Sequence, residues 1–142
     1  MEIPQVVRTY VETFTATGLD AWFANFAPDG TYSSPNVPNP TLVHGLKKFF
    51  ADFFVGFPDA TFETVGLDAI SDHVWVWRWV AHGTHTGSFR GLPATGHRMA
   101  VPGCEFIEIR GDHVCRVNGY LDRLTMLSQL GLAPSSPAKP AA

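Results

Sequence analysis

The stretch His73-Val74-Trp75-Val76-Trp77-Arg78-Trp79-Val80-Ala81 decides the architecture. Aromatic and β-branched residues crowd it with no helical period, which predicts a long strand running from His73 to Phe89. Both faces of that strand carry bulk, so it is expected to be buried on both sides. Side chains on a strand alternate between faces, so Trp75, Trp77 and Trp79 share one. That face is either a cavity wall or a subunit interface.

On either side of this strand the pattern continues as strands. Ala60 to Ile70 precedes it, with a turn at Ser71-Asp72, and Arg90 to Gly96 follows as a loop. Arg98 to Ile109 and Val114 to Leu121 form the next pair, turning at Gly111-Asp112. Leu124, Leu127 and Leu130 predict a short closing helix, stopped by Gly131. Upstream the period is helical. Ile3, Val6, Val7, Tyr10, Val11 and Phe14 form a first helix, with Pro4 tolerated in its opening turn. Leu19, Trp22, Phe23 and Phe26 form a second, closed by Pro28. Gly30 to Ser34 predicts a short strand, followed by a turn-rich segment from Pro35 to Pro40. In the third helix Leu46, Phe49, Phe50, Phe53, Phe54 and Phe57 make a stripe wide enough to lie across a sheet.

Three helices with an early strand, followed by long antiparallel strands, predict an α+β fold. One domain is expected over residues 1–132. The Pro/Ala-rich remainder, 133–142, has nothing to bury and is expected to be disordered. Eighteen aromatic side chains (11 Phe, 4 Trp and 3 Tyr) exceed what a minimal core of 142 residues needs and point to an apolar cavity.

Charge excludes several classes. The net charge is −3, and the ten Lys and Arg form no basic run, so nucleic-acid binding is not expected. No apolar stretch approaches the roughly 20 residues of a membrane span. Met1-Glu2-Ile3-Pro4 has no signal-peptide character, which makes the cytoplasm the expected location. Cys104 and Cys115 flank the last hairpin and are expected as buried free thiols.

Several motifs together carry a resemblance. Arg78-Trp79, Gly83-Thr84-His85-Thr86-Gly87 and Gly91-Leu92-Pro93-Ala94-Thr95-Gly96 resemble the central signature of SnoaL-like polyketide cyclases. Tyr120-Leu121-Asp122 and Leu127-Ser128-Gln129-Leu130-Gly131-Leu132 resemble that family's C-terminal stretch. The resemblance spans roughly residues 3 to 132. It implies a cone-shaped α+β barrel of the nuclear transport factor 2 and ketosteroid isomerase kind. In that fold three N-terminal helices pack on a strongly curved antiparallel sheet and enclose a pocket. It further implies cofactor-free aldol closure of polyketide rings, with Asp122 at the position of the family's general acid/base. Tyr120 stands where such cyclases often carry histidine.

The residues themselves offer two carboxylates. Asn118, Tyr120 and Asp122 share one strand face, with Val117, Gly119 and Leu121 on the other. Were the polar face turned to the cavity, Asp122 would sit among aromatic walls with its pKa raised. Otherwise Asp122 caps the helix that begins near Arg123. Glu105 interrupts the apolar run from Val101 to Ile109. It would lie opposite or beside Asn118 if the hairpin turns tightly, and one residue of slip would move it to the other face. Paired carboxyls with separated pKa values would supply one acid and one base.

Tyr120, Asn118, His85, Trp79, Tyr32 and Phe54 are the expected substrate-binding residues. His82 and His85, three apart on a strand, face opposite ways and do not form a metal site, so no metal is expected, and the resemblance implies no cofactor. Arg78 either pairs with Glu105 or Asp122, or reaches solvent at a dimer face. The leading expectation is a cofactor-independent cyclase or isomerase acting on an apolar polyketide-like carbonyl compound. Epoxide-hydrolase-like activation of water and non-catalytic binding of a small molecule are the alternatives. A homodimer is expected.

Overall fold

A computed structural model describes residues 2–132. The elements run α1 (Gln5–Thr13), α2 (Leu19–Ala24), β1 (Phe26–Ser34), β2 (Val37–Leu42), α3 (Lys47–Gly56), β3 (Thr61–Ala69), β4 (Val74–Thr84), β5 (Arg98–Arg110), β6 (His113–Leu121) and α4 (Arg123–Gln129). A single 3-10 turn, Val43–Gly45, leads into α3. The predicted 133–142 tail lies outside the described residues.

The six strands form one open sheet in the order β2-β1-β6-β5-β4-β3. Every neighbouring pair is antiparallel except β1 and β6, which run parallel. The sheet is therefore mixed rather than wholly antiparallel, and it does not close on itself. Segment 35–40, read above as a turn, is mostly strand: β2 pairs with β1 through Thr31 and Leu42 and through Tyr32 and Thr41. Pro38 and Pro40 are tolerated because β2 is the outermost strand, where a missing N–H breaks no ladder.

On β4 the burial alternates as period two requires. Trp75, Trp77, Trp79 and Ala81 are buried, while Arg78 is exposed. The tryptophans thus point into the core, not into a subunit interface. There they meet the helices. Tyr10 on α1 lies 5.4 Å from Trp22, 5.9 Å from Phe26 and 6.0 Å edge-on from Trp77, measured between ring centroids. Phe14, just past α1, contacts Trp22, Phe50, Phe54 and Phe62 at 5.0–5.7 Å. Edge-to-face contacts of this kind each add about 0.5–1.5 kcal/mol beyond the area they bury.

Candidate active site

Among the described residues Glu105 is the one acidic side chain buried in the core. Its position follows from the β5–β6 hairpin. A tight turn with unbroken pairing would set Glu105 against Asn118. An irregularity between Glu108 and Ile109 advances β6 by one residue, so Glu105 pairs with Gly119 and Asn118 with Phe106. Opposed residues of an antiparallel pair share a face. Glu105 and Gly119 therefore point inward, and Asn118 points out.

Glycine at 119 leaves the carboxyl uncovered. A Cβ there would stand 3.4 Å from the Tyr32 hydroxyl, 3.5 Å from Glu105 Cγ and 3.7 Å from Glu105 Oε2. Tyr32 and Glu105 thus flank a single gap. On its other oxygen Glu105 accepts a 2.7 Å hydrogen bond from the Tyr10 hydroxyl, which α1 delivers from 95 residues away.

The gap opens into an apolar cavity of about 90 Å³. Phe49, Phe50 and Phe53 of α3 form one wall, and Phe62, Trp79 and Met99 face them across the space. Trp79 can lie flat over β5 because its paired residue there is Gly103, where a Cβ would overlap the indole ring. A wider open groove of about 650 Å³ runs past Asp59, His82, Arg98 and Gln129, but no buried titratable group faces it.

Burial dominates the electrostatics. It raises the Glu105 carboxyl from 4.5 to about 7, with the Tyr10 hydrogen bond pulling part of the way back. Burial, and then the neighbouring Glu105 charge, push the Tyr10 and Tyr32 phenols well above their usual range. Both phenols therefore stay protonated donors near neutrality, while Glu105 exchanges its proton there. Such a site can take a proton from carbon and donate a hydrogen bond to the oxygen that becomes negative.

The predicted site residues divide. Glu105, Tyr32 and Trp79 lie together on the cavity. Phe54 does not line it: it packs at 5.4 Å against Phe14, which does. Tyr120 reaches the cavity rim but is 56% exposed, and it packs edge-on against Phe106 on the outer face of the sheet. Asn118 accepts a 2.7 Å hydrogen bond from Ser33 on that same outer face. The inward residues of β6 are Val114, Val117 and Gly119, because an apolar face and a bare glycine cost less to bury than an amide and a phenol.

Asp122 is solvent-exposed and caps α4. Its Oδ1 accepts from the Thr125 N–H at 3.0 Å and its Oδ2 from the Thr125 hydroxyl at 2.6 Å. Those bonds hold its carboxyl below the usual range rather than above it. Asp122 therefore makes no carboxyl pair with Glu105. Arg78 joins neither carboxylate; it lies 3.6 Å from Asp68 on the outer face, so Arg78 takes no part in activating water at Glu105 or Asp122.

His85 is fully buried but lines a neighbouring pocket instead of the Glu105 cavity. His82 sits on the opposite face, 2.9 Å from Glu63. Among the described residues no group of three or more His, Cys, Asp or Glu side chains gathers as a metal site. No helix among them is long and apolar enough to cross a membrane. Cys104 and Cys115 are free and half-buried.

Two residues escaped the sequence. Tyr10 read only as a core aromatic, since nothing local marks a partner on β5. Arg90 sat unremarked in its loop; its adjacency to Gly91 in a turn was the available signal.

Comparisons with known proteins bear on the family and the fold. The sequence model of the SnoaL-like polyketide cyclase family matches residues 4–130. Among solved structures, the chain is similar to AclR, a candidate hydroxylase from Streptomyces galilaeus, at 21% identity and a TM-score of 0.81, covering 94% of this chain and 83% of that one. It is similar to IdmH, a candidate polyketide cyclase from Streptomyces antibioticus, at 25% identity and a TM-score of 0.76, covering 89% and 96%. A protein of ketosteroid isomerase-like fold from Catenulispora acidiphila matches at 19% identity with a TM-score of 0.75, covering 96% and 99%. No curated protein matches the chain.

Proposed function

Since the chain belongs to the SnoaL-like polyketide cyclase family, we propose that it is a cofactor-independent cyclase or isomerase whose general acid/base is Glu105. The observation that carries this is a carboxyl titrating near 7 at the end of an apolar cavity, beside a phenol that stays protonated. The substrate is an apolar polyketide-like compound with a carbonyl group. Glu105 as carboxylate takes a proton from the carbon α to that carbonyl, and the electron pair of the broken C–H bond moves into an enolate. Tyr32 donates a hydrogen bond to the enolate oxygen, and Tyr10 fixes the carboxyl that received the proton. In a cyclase the enolate carbon then attacks a second carbonyl of the same molecule. The new C–C bond leaves an alkoxide, which takes the proton back from Glu105. Nothing is oxidised or reduced. The phenylalanine wall and Trp79 fold the chain so that its ends meet.

Exchange of α-protons into deuterated water, followed by NMR on the apolar ketone 2-tetralone, isolates the first step. Glu105→Gln is expected to reduce the protein-dependent exchange at least 100-fold, and Asp122→Asn to leave it near the wild-type rate. The reverse pattern would return the chemistry to Asp122 and sink this assignment.

A second reading is a binding module that holds an apolar molecule without changing it. It is favoured by the surface position of Asp122, the residue to which the family resemblance gave the chemistry. A ligand recovered unchanged after prolonged incubation, with no α-exchange, selects that reading. We also expect a homodimer built on the outer face of the sheet, where Tyr120 stands exposed beside Phe106. A monomeric mass by light scattering at micromolar concentration would refute it. Nucleic acid and membrane are not expected partners.

A further inference from the structure

Beside the Glu105 cavity lies a second pocket of about 170 Å³, between the 85–92 loop and α4. The two spaces share Asn36, Phe89, Arg90 and Met126 as common wall, so the second forms a vestibule to the first. Leu127, Leu130 and Leu132 make its apolar side, and its polar lining is Asn36 with His85, Arg90 and Arg123 and no carboxylate.

His85 is 0% exposed and stacks on Phe57 at 5.2 Å. Its Nδ1 accepts from the Thr95 N–H at 3.3 Å and lies 3.0 Å from the Thr95 hydroxyl. That hydroxyl oxygen in turn accepts from the His97 N–H at 3.3 Å, so its own proton is directed to Nδ1. A nitrogen accepting two hydrogen bonds carries no proton, which puts the ring proton on Nε2. Nε2 is buried and has no hydrogen-bond partner among the described residues. An N–H left unpaired in an apolar surround is unfavourable, so a ligand atom that accepts from it recovers that cost.

Arg90 and Arg123 complete the set. Among the described residues neither makes an ion pair with a carboxylate. Arg123 Nη1 donates to the Pro35 carbonyl at 3.2 Å. The Arg90 guanidinium lies over Phe49 at 4.3 Å and over Phe89 at 4.6 Å. Its backbone has φ of 50° because Arg90 and Gly91 are the two central residues of the turn that Phe89 and Leu92 close with paired backbone hydrogen bonds. That turn sets the Arg90 side chain on the lining common to the two spaces. Burial and then the nearby Arg123 weaken the hold of Arg90 on its proton, with Tyr32 and Asp52 acting the other way.

We propose that this vestibule binds the carboxylate of an amphipathic acid, with Arg90, Arg123 and the His85 Nε2–H as its donors. The apolar body of the acid then extends past Phe89 and Met126 into the cavity. The proposal rests on the Glu105 cavity being the reaction chamber, and it narrows the substrate class to carbonyl compounds that also carry a free acid. It predicts that an ester or amide of such an acid is a poor ligand.

The test uses 2-naphthoate and its neutral isostere 2-naphthamide as probes, with affinities read by calorimetry at pH 7. Wild type is expected to bind the carboxylate at least about tenfold more tightly, the effect of one charge-assisted hydrogen bond. Arg90→Gln/Arg123→Gln should bring the two affinities within about twofold, and Arg123→Glu alone should favour the amide. In 15N-edited spectra the His85 Nε2–H signal should shift with naphthoate and not with naphthamide. Equal binding of both probes to wild type overturns the proposal, as does a full carboxylate preference in the double variant. Glu105→Gln should retain the preference while losing α-exchange. A lost preference with exchange intact therefore condemns the vestibule alone, and a retained preference with exchange insensitive to Glu105 condemns only the chemistry.

Discussion

Replacing Glu105 by glutamine is expected to change the pH dependence of folding in a calculable way. Glutamine keeps the shape and the oxygen that accepts from Tyr10 at 2.7 Å, but it cannot ionise. In the wild type burial raises the folded-state pKa to about 7 from 4.5. The fold therefore favours the neutral acid. That contribution is fully present below 4.5 and is lost as pH rises toward 7, because over this window the folded state binds more protons than the unfolded one. At about 1.4 kcal/mol per pH unit, the loss amounts to about 3 kcal/mol between pH 4.5 and 8. The assay is urea denaturation of wild type and Glu105→Gln in parallel across that range. Titration of the six histidines and the other carboxyls is common to both proteins and cancels in the difference. Near pH 4.5 the two should be about equally stable, and by pH 8 the glutamine variant should be the more stable by about 3 kcal/mol. A stability difference that stays flat with pH would refute the burial of this carboxyl and the chemistry built on it.

Three further outcomes follow from the same geometry. Asp122→Ala should lower the urea midpoint slightly by uncapping α4, with α-proton exchange unchanged; a collapse of exchange in a folded variant would return Asp122 to the mechanism. Gly103→Ala should displace the Trp79 indole, costing about 1–3 kcal/mol and shifting the tryptophan emission; an unshifted spectrum would contradict the close approach. Gly119→Leu should fill the gap between Tyr32 and Glu105 and abolish exchange while the protein stays folded by circular dichroism; retained exchange would mean that the reacting carbon sits elsewhere.

Much of this architecture is written in local periodicity. The α3 stripe, the alternation along β4 and the turn at Gly111 each report a pattern that tertiary contacts reinforce. The turn-like segment from Pro35 was misleading because prolines that would break a central strand are harmless on an outermost one. At β6 the parity of side chains was legible but its sign was not. Val117, Gly119 and Leu121 were separable from Asn118, Tyr120 and Asp122, yet a polar set is compatible with either a cavity or an outer face. The irregularity at Glu108 and Ile109, which brings Glu105 onto Gly119, has no sequence mark of its own, since nothing in the hairpin sequence distinguishes the bulged register from the plain one. Glu105 itself was legible as a charge inside an apolar run. Its partner Tyr10 was not, because a contact across 95 residues is set by how α1 docks on the sheet. The cap at Asp122 was visible as an aspartate ahead of a helix; the family resemblance drew attention to its carboxyl for a different reason.

The most direct test of the central claim is a 13C NMR titration of the Glu105 side-chain carboxyl in the folded protein, assigned by its absence in Glu105→Gln. A midpoint near 7 is predicted, from burial opposed by one hydrogen bond from Tyr10. A midpoint at the ordinary 4.5 would mean that water reaches the carboxyl freely, and Glu105 could then be neither the acid nor the base proposed for this cavity.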